Sequence, residues 1–498
     1  MSQIKKGALL SYITIFLTNI IGLVLTPFII RSLGDSEYGL YTLIGAFVGY
    51  LSIMDLGLNN TIVRYVSKYR AENDKKGEEN FLGTTMMIYV LISLIIVIAG
   101  IVLYYQLDRI FGDSLTLSEM EKAKAMFVIL IFNLGITLPG GAFTAICNAY
   151  EKFVFPRALN IIKYLIRSLL VYVILTQGAD SIGLVILDTV VNLVTIALTF
   201  SYSFFKLKAR FRFKSFNKVM VGEIFSYSMW IFILAIISQL QWKGGQMIIG
   251  MRLNTTEVAI YAVGIMLGTY YGAFSSAISS LFLPRATQMS VRNSSPLELT
   301  NMMVKIARFS LFTLMLVFVG FLFLGRDFIH LWINESYDDA YYIALIIMIG
   351  YTIPLIQTFA NSLLEARKLF KFKAMVYLIS LGTGTVLSYF FVREYGIISV
   401  ILFIVSFWIL GQIIMNIFFS KVLKLKMLYF FKQLAKGLFV VFVLMLLSGY
   451  FISLISIDGG WIELAIKACL LSAVYLALLF LIGMNKEEKE YVLLTFKR

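Results

Sequence analysis

Two cations lie where a bilayer would leave little water. The stretch 158–177, ALNIIKYLIRSLLVYVILTQ, is apolar and long enough to cross a membrane. Yet it carries Lys163 and Arg167, four residues apart and on one helical face. Counted from Pro156 at ~1.5 Å per residue, Lys163 lies about 10 Å and Arg167 about 16 Å along the axis. In a hydrocarbon core ~30 Å thick, that puts Arg167 near the middle. One such residue at the centre costs at least ~2.5–3.5 kcal/mol. Either the pair faces water and an anion inside the protein, or it has acidic partners, or the helix ends elsewhere. Lys offers phosphate a point charge and Arg a planar fork. The acid within reach is Asp188. Measured from the turn between the two spans, Arg167 is about ten residues deep and Asp188 about seven.

A second polar stretch sits inside another apolar run, at 238–246, SQLQWKGGQ. Lys243 is a further candidate cation for phosphate, or else reaches the interface. Gln239, Gln241 and Gln246 are candidates for hydrogen bonds to a polar ligand, and Trp242 for stacking on it. The paired glycines permit unwinding where backbone lines a cavity. Asp55, at the end of a span, reads as a helix-end or ion-pair residue, with Arg64 a partner within reach, or as a coupling site. Glu463 and Lys467 form an i,i+4 pair expected at the interface. His330 reads as an interfacial loop residue.

The elements that must position these residues are membrane spans. Hydrophobic residues make up 60% of the 498 and charged ones 14%, against ~25% charged in soluble domains. The two cysteines lie in apolar runs without a metal-binding spacing, and one histidine cannot build a histidine metal site. No nucleotide-binding or hydrolase motif occurs, so no cofactor is expected, and any work done in the membrane must draw on ion gradients, the membrane potential or downstream consumption. The first apolar run, 8–30, is too long for a signal-peptide core and lacks an A-x-A site, so it reads as a retained span.

Fourteen spans are expected, at about 8–30, 38–58, 81–105, 125–147, 156–176, 181–205, 223–250, 257–282, 306–325, 341–364, 374–392, 396–419, 435–455 and 461–483. The longest connections are expected at 64–80, 106–124, 206–221 and 284–305, none of them large enough for a soluble catalytic domain. With both termini cytoplasmic, 32 of the 43 Lys and Arg fall on inside segments, 7 on outside segments and 4 within spans. That split is a strong positive-inside signal. It also explains the net charge of +15 by loops facing anionic lipid, with no need for nucleic acid.

The chain repeats itself. Leu33…Glu37…Tyr41 and Leu253…Glu257…Tyr261 share the frame L-x3-E-x3-Y, and Thr137-Leu138-Pro139 is echoed by Thr352-Ile353-Pro354. The offsets, 213–220 residues, suggest an all-α membrane protein of two parallel six-helix lobes, 1–218 and 219–433. Spans 13 and 14 are appended at 434–498.

These residues carry a family resemblance. The run 27–41, PFIIRSLGDSEYGLY, resembles the opening signature of polysaccharide transporters. Asp55-Leu56-Gly57-Leu58 with Arg64-Tyr65 and Tyr69 resembles the family's next motif. The run 242–250 with Val258–Tyr261 resembles its seventh and eighth helices, and 328–332 with Tyr337 and Ala340 its ninth-to-tenth loop. The family is the Wzx-type O-antigen flippase group of polysaccharide biosynthesis proteins. Its superfamily includes multidrug and toxic compound extruders and the lipid II flippase. Many members carry an acidic residue just before the helix 7 I-[IL]-G, where this chain has Gly244-Gly245-Gln246. The resemblance implies a non-enzymatic flippase of the bacterial cytoplasmic membrane. It would move an undecaprenyl-pyrophosphate-linked oligosaccharide outward for O-antigen, capsule or exopolysaccharide synthesis. Membrane lipids and a polysaccharide polymerase complex are the partners implied. Two lobes would rock about a basic central cavity while the prenyl tail trails in lipid. A drug or organic-cation antiporter is the competing reading, but a cation binder should present buried acids. A glycan-ligating or polymerising enzyme would need large external loops or clustered acids and histidines.

Overall fold

Long runs of Leu, Ile, Val and Phe satisfy their backbone groups in lipid only by helix formation or barrel closure. Here they form helices. The computed structural model describes residues 3–55, 57–213, 229, 232–280, 288–289, 292, 294–367, 369–456 and 459–490. Among these the regular structure is entirely helical.

In chain order the helices are α1 (Gln3–Leu33), α2 (Asp35–Ser52), α3 (Leu58–Ala71), α4 (Lys75–Phe111), α5 (Leu117–Ala149), α6 (Val154–Thr176) and α7 (Ser181–Ser201). Then come α8 (Phe232–Trp242), α9 (Gly244–Arg252), α10 (Thr255–Ser280), α11 (Pro296–Trp332), α12 (Asp338–Ile356) and α13 (Thr358–Ala366). The series ends with α14 (Phe370–Lys421), α15 (Met427–Ser453) and α16 (Gly460–Leu478).

Eleven helices among the described residues are long and apolar enough to cross a membrane. One of them, α14, is two helices joined at Gly396, whose φ of 67° breaks the helix between the expected eleventh and twelfth spans. Helix α10 coincides with the expected eighth span, and α8 with α9 cover the described part of the seventh. Every expected span therefore has a helical counterpart. The first part of the seventh span and the tip of the eighth lie outside the described residues. So do the second half of the 206–220 connection, most of 285–293 and the tail beyond Glu490.

Several expected loops are helix instead. Helix α3 runs to Ala71 and α4 starts at Lys75, so only three residues connect them across the expected 64–80 loop. Helix α4 reaches Phe111 and α5 starts at Leu117. The reason is that Lys, Glu and Arg are good helix formers, so helices continue past the hydrocarbon into water. His330 and the 328–332 motif are likewise the last turns of α11, not loop. Starts follow capping chemistry. Thr116 with Glu119, and Ser295 with Glu298, form capping boxes for α5 and α11.

Packing divides the chain into two compact units, Met1–Ala262 with Tyr389–Glu394, and Val263–Ser388 with Tyr395–Arg498. In the first, α5 is the central element, packed on α2, α3, α4 and α7, while α6 lies against α1 and α7. In the second, α11, α15 and α16 share a core that includes Val319, Val441, Met445 and Leu471.

Candidate functional site

Helices α6 and α7 are antiparallel neighbours joined by a four-residue turn, and each offers an i,i+4 polar pair to the other. On α6 these are Lys163 and Arg167, and on α7 Asp188 and Asn192. The Arg167 guanidinium grips Asp188 with two bonds, Nε to Oδ1 at 2.5 Å and Nη2 to Oδ2 at 3.0 Å. From α2, the Tyr41 hydroxyl donates to Asp188 Oδ2 at 2.7 Å and accepts from Arg167 Nη2 at 3.3 Å. One turn along, Lys163 Nζ donates to Asn192 Oδ1 at 3.2 Å. The Asn192 amide in turn donates to Asn133 Oδ1 at 2.8 Å and Thr137 Oγ1 at 2.7 Å, both on α5. Four helices therefore meet through two polar clusters, one turn apart, in the middle of spans that are otherwise apolar.

Formal charge does not balance there. Arg167 and Asp188 cancel, and among the described residues Lys163 has a neutral hydrogen-bond partner, Asn192, so the two clusters together carry one net positive charge. The Arg167 and Asp188 side chains each keep 24% of their surface exposed. The pair is partly reachable, not sealed in a core. A bidentate Arg–carboxylate geometry is also the geometry in which Arg holds a phosphate oxygen pair.

The other nominated residues do not join these clusters. Gln239 on α8 donates to the Gly49 carbonyl at 3.1 Å, and its own carbonyl accepts from the Tyr50 hydroxyl at 3.3 Å. Gln241, Trp242 and Lys243 are half-buried. The expected unwinding at Gly244-Gly245 does not occur. These glycines open α9, and the irregularity is confined to Lys243, whose N–H still reaches the Gln239 carbonyl at 2.8 Å. Gln246 is buried, and its Oε1 lacks a hydrogen-bond partner among the described residues. Asp55 lies in a single 3-10 turn after α2; its buried Oδ1 has no hydrogen-bond partner among the described residues, and the Tyr89 hydroxyl donates to Asn59 Oδ1 at 3.1 Å. Glu463 and Lys467 do pair, at 2.5 Å, with Lys467 buried.

The repeated frame acquires a structural role. Its closing tyrosine on α2, Tyr41, holds Asp188. Its counterpart on α10, Tyr261, points a buried, unpartnered hydroxyl at Gly245, where any Cβ would run into it. Glycine at 245 is thus required by that approach. Residues inside the two frames also meet. Ser36 and Thr255 both donate to Glu119 Oε1, at 2.5 and 2.6 Å, and their hydroxyls lie 3.0 Å apart. Gly39 lets the Thr255 carbonyl pass close by.

Residues that the sequence reading missed are Tyr41, Asn133, Thr137 and Asn192 as members of these clusters, and the buried pair of Arg308 and Glu488. Arg308 Nε binds Glu488 Oε1 at 2.6 Å, and the same guanidinium donates to the carbonyls of Gln433, Lys436 and Gly483. The i,i+4 spacing of Asp188–Asn192 and of Asn133–Thr137 was the available signal. A cavity of about 390 Å³ lies beside Arg308 in the second unit, lined also by Glu298, Lys305, Asn485 and Glu487, and contains none of the residues nominated from sequence.

Comparison with known proteins places this geometry. Among solved structures, the lipid II flippase MurJ in an inward closed conformation superposes with a TM-score of 0.71 at 18% identity, covering 94% of this chain and 97% of that one. An inward-facing multidrug resistance MATE family transporter of the MOP superfamily gives 0.60 at 12% identity, covering 87% and 98%. These show a shared polytopic membrane fold. A Shigella flexneri protein whose name assigns it to O-antigen transport is 22% identical over 392 residues, 75% of this chain and 88% of its own length. A similarly named Salmonella typhi protein is 20% identical over 399 residues, 76% of this chain and 87% of its own. The model of the polysaccharide biosynthesis protein family matches residues 4–290, more than half of the chain. The protein is therefore a multi-pass membrane member of the polysaccharide biosynthesis protein family.

Proposed function

We propose that this chain is a flippase that carries an undecaprenyl-pyrophosphate-linked oligosaccharide from the cytoplasmic to the outer leaflet. At the coarser level it is a membrane transporter and not an enzyme. The observation that carries the finer reading is the surplus cation on α6. Lys163 and Arg167 present two cations, and Asp188 answers one of them. A diphosphate needs cations inside the membrane, sugars need hydrogen-bonding groups, and a prenyl tail needs neither. In this reading Lys163 and Arg167 take the diphosphate, which displaces Asp188 as the counter-ion of Arg167. Gln239, Gln241, Trp242 and Gln246 line the sugar path, with Lys243 a further phosphate contact. Asp55 is a helix-end residue or, in the coupling role, a proton or ion site.

The remaining parts of the proposal follow the charge pattern and the repeats. Both termini and the Lys- and Arg-rich connections face the cytoplasm. The lobes 1–218 and 219–433, with 434–498 appended, alternate access. The recurrence of one backbone pattern supports the duplication. Thr137 and Thr352, each two residues before its proline, both donate to the carbonyl four residues back, at 2.7 and 2.6 Å. The test is reconstitution with a fluorescent lipid-linked glycan and, separately, a fluorescent organic cation. The glycan is expected to cross and the cation not. Transport of the cation alone would replace this reading with the antiporter.

A further inference from the structure

The two segments that leave α7 and α14 are built alike. After α7 the backbone widens into one π turn, Tyr202–Lys206. Lys208 then takes a left-handed φ of 56°, and the Ala209 N–H closes onto the Ser203 carbonyl at 3.1 Å. After α14, Lys424 takes the same φ of 56°, and the Leu425 N–H closes onto the Phe419 carbonyl at 3.1 Å. Both closures reach back six residues, one more than the usual Schellman bond. Lys208 and Lys424 are separated by an offset within the 213–220 residues of the sequence repeats.

Side chains then alternate in the same register. Leu207, Ala209 and Phe211 turn toward the protein, and Lys208, Arg210 and Arg212 are exposed. Leu423, Leu425 and Met427 are buried, and Lys424 and Lys426 are exposed. Where the backbone is extended, same-face residues stand ~6.6 Å apart, so each segment holds its cations as a short comb. Neither is loose. The Arg212 N–H donates to the Glu79 carbonyl at 3.0 Å, and Gly83 admits the Arg212 backbone where a Cβ would clash. The Lys426 N–H donates to Thr300 Oγ1 at 3.1 Å. Glycine would adopt the left-handed turn without strain, and lysine stands there in both.

Among the described residues Lys206, Lys208, Arg210, Arg212, Lys421, Lys424 and Lys426 enter no ion pair. Beside them stand large apolar side chains, Phe205 at 72% exposed, Phe213 at 56% and Leu428 at 87%. A soluble acidic partner would answer the charges but leave those side chains in water. The surface of an anionic bilayer answers both, with phosphates for the comb and the acyl boundary for the apolar groups.

We infer that segments 206–213 and 421–428 are twin docking sites for anionic phospholipid headgroups. Their placement on the cytoplasmic surface rests on the orientation proposed above. The test uses the full chain in micelles holding equal phosphatidylglycerol and phosphatidylcholine, released intact into a native mass spectrometer. The unmodified chain is expected to retain phosphatidylglycerol preferentially. Neutralising one comb (Lys208→Gln, Arg210→Gln, Arg212→Gln) or the other (Lys424→Gln, Lys426→Gln) should each remove part of that preference, about fivefold in affinity per cation lost. Both sets together should abolish it, and Arg replacements of the lysines should keep it. Equal retention of the two lipids by the unmodified chain, or undiminished preference in the combined variant, would overturn the inference. Sidedness is read separately. Labelling of Lys208→Cys by an impermeant thiol reagent from outside intact cells would refute the cytoplasmic placement while leaving the micelle result untouched.

Discussion

Removing Arg167 separates a binding role from a purely structural one. In Arg167→Ala, Asp188 keeps the Tyr41 hydroxyl at 2.7 Å but loses both guanidinium bonds. Breaking a buried pair by deleting one partner typically costs 3–5 kcal/mol. Here each side chain retains 24% exposure and Tyr41 still donates, so the expected loss is at the lower end, about 3 kcal/mol. Against a total of roughly 5–15 kcal/mol that is enough to lower abundance and the melting temperature in detergent. Arg167→Lys keeps the charge and loses the fork, so it should cost about 1–2 kcal/mol, near the value of one charge-assisted hydrogen bond. Asp188→Ala is worse placed than either, because it leaves Arg167 and Lys163 facing each other without an acid. The double change, Arg167→Ala with Asp188→Ala, removes both charges and should recover most of the loss, so the coupling in the cycle should approach the sum of the two single losses.

The assay joins that thermal cycle to flipping of a fluorescent lipid-linked glycan in proteoliposomes at matched protein levels. If Arg167 grips the diphosphate, the double variant is stable but inactive, and Arg167→Lys keeps partial activity. If Arg167 serves only to neutralise Asp188, the double variant flips at the rate of the unmodified chain. That last result would refute the substrate-binding role.

Three further outcomes are expected. Ser36→Cys with Thr255→Cys brings two thiols to side chains now 3.0 Å apart; oxidation should stop flipping and reduction restore it, whereas flipping that continues with the disulfide formed would show that these helix ends need not separate. In intact cells an impermeant thiol reagent should label Asp113→Cys and not Arg212→Cys, and the reverse pattern would invert the proposed topology. Glu488→Ala strands a buried Arg308 that makes bonds to three backbone carbonyls besides; a loss of about 3–5 kcal/mol is expected, read as a lower melting temperature in detergent, and an unchanged melting temperature would show that these carbonyls suffice.

Much of the fold was legible because lipid leaves the backbone so few options. An apolar run of about twenty residues must become a helix, and the breaks at Gly396 and between α6 and α7 fall where the hydropathy falls. The loops were less legible, since Lys, Glu and Arg both mark water and favour helix. That is how Leu58–Ala71 and Lys75–Phe111 came to cover an expected connection. At the site, depth counted from a shared turn was enough to bring Arg167 to Asp188, because two antiparallel helices of fixed rise allow only one register. It was not enough to find Tyr41, Asn133 or Thr137. Those come from α2 and α5, whose rotation about their own axes is set by packing that no single helix encodes. The repeated frame held a trace of the answer. Tyr41 closes one copy and Tyr261 the other, and the structure gives the first an acid and the second a glycine. The asymmetry is chemical as well as geometric. Of the tyrosines that close the two frames, only Tyr41 bonds a charged group among the described residues, one turn from Lys163 on α6. The proposed anion handling is therefore expected to centre on the first copy, with Lys243 the further contact from the second. Grafting an acid at position 245 to match it would be blocked sterically by the Tyr261 hydroxyl before it was ever decided electrostatically.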